Sequence, residues 1–382
     1  DDLIISKYQK VIIYDTKSQK AKAIFSTKNT ENQALAPNSL SLAYTKENNL
    51  YIKSMDGNET AITNESDKGI VCGQSVHRNE FGIDGGIFWS PTSNKIAFYR
   101  MDETMVTDYP LVDISTRIAE AKPIKYPMAG MKSHHVTIGI YDITSNKTIY
   151  LRTGTPKEKY LTNIAWSPDE KYIYLAELNR GQDTCALKCY NAIDGKLEKT
   201  LFTETHPKYV EPQNPVIFLK NKPDQFIWQS RRDGYNHLYL YNTKGEMIKQ
   251  LTKGEWEVVR IIGFDNKGEN IFYTSTEVSP VNHHAYKLNL KTGKRTQLTK
   301  AEGMHKVSLS ASGKYICDTY SSVNNPGQIE IIETNKGDRF NWKTAKNPFE
   351  DIEMPEISLV TIKAADGKSD LHYRLLKPLN YD

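Results

Sequence analysis

The sequence predicts an all-β fold, a β-propeller of about six and a half to seven blades, each built from four antiparallel strands. Three observations carry this. A polar turn followed by an apolar strand recurs as WSPTSNKIAFYR from Trp89, WSPDEKYIYLAE from Trp166, FDNKGENIFYTS from Phe264 and LSASGKYICDTY from Leu309. From Pro37 to Pro91, Pro168, Pro223, Lys267 and Ser312 the copies are offset by 54, 77, 55, 44 and 45 residues, close to the period of a propeller blade. Each copy runs on through a polar loop, a strand such as HLYLY, a turn such as NTKGE and a short strand ending in QLT, so about four strands fill one period. A sheet this small cannot bury both faces alone, so neighbours must stack. A β-sandwich is the structural alternative, and the fixed period argues against it.

Taken in order, residues 11–14 and 21–25 read as strands around the polar turn 15–20, a hairpin that closes a partial first unit. The second unit opens at the turn 36–39 and supplies three short strands broken at 47–49 and 56–58. The third holds SVHRNEFGIDGGIFWSP, residues 75–91, in which an acid, Glu80, stands near glycines ahead of the strand that starts at Ile87-Phe88-Trp89. An isolated loop carboxylate is ordinarily just solvated. On the approach to a strand, however, a rigid scaffold can aim it at a ligand. The same unit carries the excess length of the 77-residue interval: between Met101 and Ser133, three prolines and two Tyr-Pro pairs interrupt the strand pattern, which marks an insertion at about 101–133. The propeller is expected over 1–350, and 351–382 as a terminal segment whose PEISLVTIKAADGKSDLHYRLLKPLNYD reads as a hairpin.

Composition excludes several classes of function. With 50 Lys and Arg against 46 Asp and Glu, intermixed along the chain, the net charge is +4 and no basic block exists to grip a nucleic acid backbone. The longest apolar runs, such as 258–263, are far short of the roughly 20 residues of a membrane span. The chain does not begin with Met and shows no signal-like segment, so its start reads as a cut or processed end. Cys185 and Cys189, four residues apart in a strand, would be about 13 Å apart, beyond the roughly 7 Å reach of a disulfide. Adjacent strand residues face opposite ways, so neither His134-His135 nor His283-His284 can turn both rings to one metal. No metal and no cofactor are expected.

The motifs YPMAG (126–130), HHVT (134–137), RRDGYNHLYLY (231–241), TKGEWEV (252–258) and AADG (364–367) resemble the amino-terminal propeller of the dipeptidyl peptidase IV group within the prolyl oligopeptidase family. Within the group, the resemblance is nearest to the bacterial prolyl tripeptidyl peptidases and runs along nearly the whole chain. It implies an eight-bladed propeller, here incomplete at its amino terminus, that caps an α/β-hydrolase domain, with substrate held between the two. It also implies peptide substrates with proline near the amino terminus, a periplasmic, extracellular or cell-surface location in a bacterium, and a homodimer as an admissible partner state. Dipeptidyl peptidases of the group hold the substrate's α-amine with two adjacent glutamates. The matching positions here are Asn79 and Glu80, one acid instead of two, which suits release of a tripeptide. Arg78, Arg231 and Arg232 are further candidates to line the cavity, although arginines of blade loops commonly pair with an acid of the next blade. No G-x-S-x-G elbow occurs in the 382 residues, and 351–382 resembles the hairpin leading into the hydrolase, so this chain alone is expected not to hydrolyse peptides. A non-catalytic propeller that serves as a protein-binding platform is the alternative.

Overall fold

The computed structural model of the chain describes residues 2–38 and 40–381; Ser39, the last residue of the turn expected at 36–39, lies outside them, as do Asp1 and Asp382 at the ends of the two expected domains. The chain is all-β, a propeller-type succession of seven antiparallel sheets, and its one helical stretch among the described residues is a single 3-10 turn at His77–Asn79. Sheets two and four to seven have four strands, ordered along the chain.

The first sheet differs from expectation. It has three strands rather than a hairpin, because Asp2–Lys7 pairs along its whole length with Lys10–Asp15, which in turn pairs with Lys20–Ser26. Asp2–Lys7 is almost entirely exposed, so it lacks the buried alternation by which a strand announces itself. The third sheet has five strands: Lys95–Asp102 pairs with both Ile70–Cys72 and Ile87–Trp89 on one side and with His135–Asp142 on the other. The insertion is itself ordered as a narrow ribbon, Asp108–Tyr109 with Ile124–Lys125 and Val112–Asp113 with Glu120–Ala121. Glu356–Lys363 and Asp370–Lys377 form the terminal hairpin.

Two compact units divide the chain, Asp1–Phe218 with Phe226–Gln229 and Tyr241–Glu246, and Leu219–Gln225 with Ser230–Leu240 and Met247–Asp382. In the first, apolar side chains fill the spaces between successive sheets. Ala43, Leu50, Ile96 and Phe98 close the space between sheets two and three, and Tyr99, Ile138, Leu161 and Leu175 that between three and four. Interior strands such as Tyr172–Leu178 are therefore buried almost without alternation, as expected of sheets covered on both faces. In the second unit, Phe272, Leu298, Val307 and Ile316 do the same for sheets six and seven.

The repeated phrase is a repeated hydrogen-bonding device. Ser90 Oγ accepts from the Lys95 amide and Ser167 Oγ from the Tyr172 amide, each at 3.0 Å, so one side chain closes the loop between two strands. In the second unit Ser310 does this for Tyr315 at 3.1 Å, and Asp265 for Asn270 at 3.2 Å. The two tryptophans are equivalent as well: Trp89 Nε1 donates to the Ala34 carbonyl of the preceding sheet at 2.9 Å, and Trp166 Nε1 to Phe88 at 3.0 Å.

Candidate functional site

Val76 and Ile83, 2% and 4% exposed, are rooted in the core between the third and fourth sheets, and the chain between them loops out of it. That loop has an unusual backbone. His77, Arg78 and Asn79 are left-handed in succession (φ 52°, 56° and 62°), Glu80 is extended (φ −77°, ψ 166°), and Phe81 and Gly82 are left-handed again (φ 57° and 73°). Left-handed geometry costs a side-chain-bearing residue about 1–2 kcal/mol, so the four such residues here store on the order of 4 kcal/mol or more. At Gly82 the backbone needs glycine twice over, since a Cβ would also lie 1.9 Å from the Gln213 carbonyl oxygen.

Side chains around the loop hold it in this state. The Asn79 amide donates to the Val76 carbonyl (3.1 Å), the Glu80 amide to His77 (3.2 Å) and the Ile83 amide to Glu80 (3.1 Å). His77, 6% exposed, meets His134 Nε2 through its Nδ1 at 2.8 Å. Burial pushes His134 down to about 4 and His77 well below the usual imidazole range, so at pH 7 both rings are neutral, one donating and the other accepting. Tyr160 packs edge-to-face with two loop residues at once, with ring centres 4.9 Å from His77 and 4.8 Å from Phe81. Thr162 Oγ1 donates to the Phe81 carbonyl at 2.7 Å. Ser75 Oγ hydrogen bonds to Asn79 Oδ1. Arg78 donates to the Lys125 carbonyl of the inserted ribbon and lies 4.8 Å over the Tyr126 ring, so it struts the ribbon.

Glu80 is the exception. Its side chain is exposed and, among the described residues, its carboxylate has no ion pair or hydrogen bond. Asn79 beside it is uncharged, so this turn offers one negative charge to solvent between left-handed neighbours. A cavity of about 610 Å³ adjoins the turn, lined by Ser75, Arg78 and Asn79 on one side and by Glu103, Lys125 and Pro127 on the other. Glu103 is half-buried, and desolvation pushes its carboxyl above the usual range against the pull of Arg78 and Lys125.

The remaining candidates, Arg231 and Arg232, belong to the second unit. Arg231 Nη1 pairs with Glu257 Oε1 at 2.5 Å, on the approach to the sixth sheet. Arg232 stacks 4.4 Å over the Tyr239 ring and donates from Nε to Ser230 Oγ at 3.1 Å. The motif beside them is structural. His237 is fully buried; its Nε2 donates to the Gly254 carbonyl (2.9 Å), its Nδ1 meets the Thr252 hydroxyl (3.1 Å), and its ring abuts Trp256 edge-on at 4.8 Å. Gln250 ties down Asp233, and Asn236 ties down the Val258 carbonyl, each at 2.6 Å. Among the described residues no group of three or more His, Cys, Asp and Glu is arranged to hold a metal, and no helix is long and apolar enough to cross a membrane.

Against known proteins, residues 5–327 match the family described as the dipeptidyl peptidase IV (DPP IV) N-terminal region. The chain belongs to this family. A crystal structure of a provisionally assigned dipeptidyl aminopeptidase IV from Bacteroides ovatus superimposes with a TM-score of 0.91 at 45% identity, covering 100% of this chain and 56% of that one. Porphyromonas gingivalis dipeptidyl peptidase 4 shares the fold, with a TM-score of 0.83 at 23% identity over 99% of this chain and 56% of its own. Dipeptidyl peptidase 4 of Trichophyton rubrum is 26% identical over 381 residues, 91% of this chain and 47% of that protein. The chain thus spans less than half the length of the curated relatives it matches. It corresponds to their dipeptidyl peptidase IV-type amino-terminal propeller region.

Proposed function

We propose that this propeller binds the free amino terminus of a peptide through Glu80 and gates its access to the catalytic centre of a prolyl-specific serine exopeptidase, one that releases dipeptides or, the favoured case, tripeptides after proline. Residues 1–350 are read as the binding propeller and 351–382 as the lead into an α/β-hydrolase domain, with the enzyme working in the periplasm or at the cell surface. The observation that carries the reading is the unpartnered Glu80 carboxylate on a turn whose other polar side chains have partners: His77 meets His134, Arg78 the Lys125 carbonyl and Asn79 Ser75. An α-ammonium brought into a cavity costs several kcal/mol unless it is paired, and a fixed carboxylate supplies the pair. Such an anchor is also a ruler. Extended chain advances roughly 3.3–3.6 Å per residue, so the distance from anchor to nucleophile sets how many residues leave together. The uncharged Asn79 supports the tripeptidyl choice, since only one carboxylate remains on the turn. Asn79 is assigned a supporting contact to the amine, through the second lone pair of its side-chain oxygen.

The test is a four-corner comparison of kcat/KM in the complete protein, wild type and Glu80→Gln, against free and acetylated Ala-Ala-Pro-nitroanilide. Losing one partner of a charge-assisted pair costs on the order of 2–5 kcal/mol, so Glu80→Gln should lower kcat/KM on the free amine about 30-fold to several-thousand-fold. Acetylation should remove the same contact, leaving little for the mutation to add. Losses that add in full would overturn the anchor.

A further inference from the structure

Resting on the reading of Glu80 as the amine anchor, we infer that His134 and Tyr160 are positioning residues for amine recognition: they lock the left-handed turn that presents Glu80. The turn is gripped at both ends by groups that other elements supply. On the amino-terminal side, His77 is held by the 2.8 Å hydrogen bond to His134, which stands just ahead of the strand His135–Asp142. On the carboxyl-terminal side, Phe81 is held through its ring by Tyr160 and through its carbonyl by Thr162, both in the first strand of the fourth sheet. Tyr160 spans the two ends, because one ring packs against both Phe81 and His77. Its hydroxyl is fixed in turn by Arg180 and Gln182, at 3.3 and 3.2 Å.

The bracketed residues are Arg78, Asn79 and Glu80. Left-handed geometry at three consecutive side-chain-bearing positions is not self-supporting, and such strain persists only where the surroundings over-determine it. If the rings at 77 and 81 are released, the chain between them relaxes toward right-handed or extended geometry, and the carboxylate of Glu80 moves by ångströms. An amine anchor with no partner of its own has nothing else to fix its direction. Positional errors of about 1 Å at a binding constellation can cost on the order of 100-fold in rate.

The experiment measures the ratio of kcat/KM for free and acetylated Ala-Ala-Pro-nitroanilide in the complete protein. His134→Leu, which removes the hydrogen bond, and Tyr160→Met, which removes the ring, should each lower that ratio at least tenfold, with the loss appearing in KM more than in kcat. His134→Gln keeps a donor and Tyr160→Phe keeps the ring, so both should retain the ratio within about threefold. A residue that merely stabilises the fold would lower both substrates alike and leave the ratio untouched, and that outcome overturns the inference. His134 lies outside the strands, so His134→Leu keeps the inference falsifiable should Tyr160→Met fail to fold. Glu80→Gln is run alongside. If it abolishes the discrimination while the other variants preserve it, the positioning role fails and the anchor stands; if Glu80→Gln itself preserves the discrimination, the anchor fails first.

Discussion

The turn at 77–82 and the corner at 233–237 are both loops packed with polar side chains beside a strand, and they resolve their chemistry in opposite ways. At the corner each group has a partner: Asp233 meets Gln250, Asn236 meets the Val258 carbonyl, and buried His237 spends both ring nitrogens. At the turn the backbone is strained at four side-chain-bearing residues, and its one acid, Glu80, is left unpaired. A fold gains stability from satisfying polar groups and gains nothing from an orphan carboxylate held in a costly conformation. The corner therefore reads as structure, whereas on the proposed function the turn is a place where conformational energy is spent on presenting a charge.

The sharpest way to break this contrast is at the corner, where the largest effect on stability is expected. His237→Leu removes two hydrogen bonds and leaves the Gly254 carbonyl without its donor. With a buried unsatisfied group costing about 1–3 kcal/mol and each of the two lost bonds about 1, the variant should lose roughly 3–5 kcal/mol in urea unfolding. Its discrimination between free and acetylated substrates should stay at the wild-type value. A selective loss of that discrimination would mean that the corner belongs to the recognition surface after all.

Acid should weaken the turn. His134 is held near 4 when folded, against 6.5 for the ordinary imidazole, chiefly by burial and then by the positive fields of Arg180 and Arg78. A folded value below the unfolded one means that the unfolded chain binds the extra proton. The stability linked to the neutral ring is thus whole above about 6.5 and drains away as pH falls toward 4, by up to about 3 kcal/mol. Urea midpoints between pH 7.5 and 4.5 should therefore fall more steeply for wild type than for His134→Gln. Equal slopes would show that the His77–His134 pair is not what acid attacks.

Much of the fold was legible because its signals are local. A serine or aspartate that closes its own loop, as at Ser90, Ser167, Asp265 and Ser310, stamps the same short phrase on each blade. Asp2–Lys7 carries no strand signal because it is almost entirely exposed, and the inserted ribbon none because its strands are only two residues long. At the site, Glu80 was visible as an acid near glycines. The grip on it was not, since Tyr160 lies about 80 residues away and nothing in its neighbourhood marks it. In the sequence His134 is only one of a vicinal pair read as strand residues; it stands just ahead of the strand His135–Asp142, and nothing local indicates that it meets His77. The motif RRDGYNHLYLY, which holds Arg231 and Arg232 and carries part of the family resemblance, centres in the structure on the geometry of a buried histidine, His237. Motif strength measures how narrowly an environment constrains a residue, and packing constrains as tightly as chemistry does.

The smallest expected effect is on the stability of Glu80→Gln. The carboxylate is exposed and has no hydrogen-bonded or ion-paired partner among the described residues, while glutamine keeps its length and rotamers. Nothing in the fold then loses a contact, and a surface change of this kind falls within about 0.5 kcal/mol of wild type. The Glu80 backbone bonds to His77 and Ile83 survive the substitution, since they involve only main-chain atoms, so the turn should keep its shape. Urea unfolding at pH 7 checks this. A variant that matches wild type in stability yet loses the free-amine preference separates presentation of a charge from maintenance of the fold. A loss above about 1.5 kcal/mol would place Glu80 in the same class as His237, a residue whose charge serves the loop that carries it, and the distinction between turn and corner would collapse.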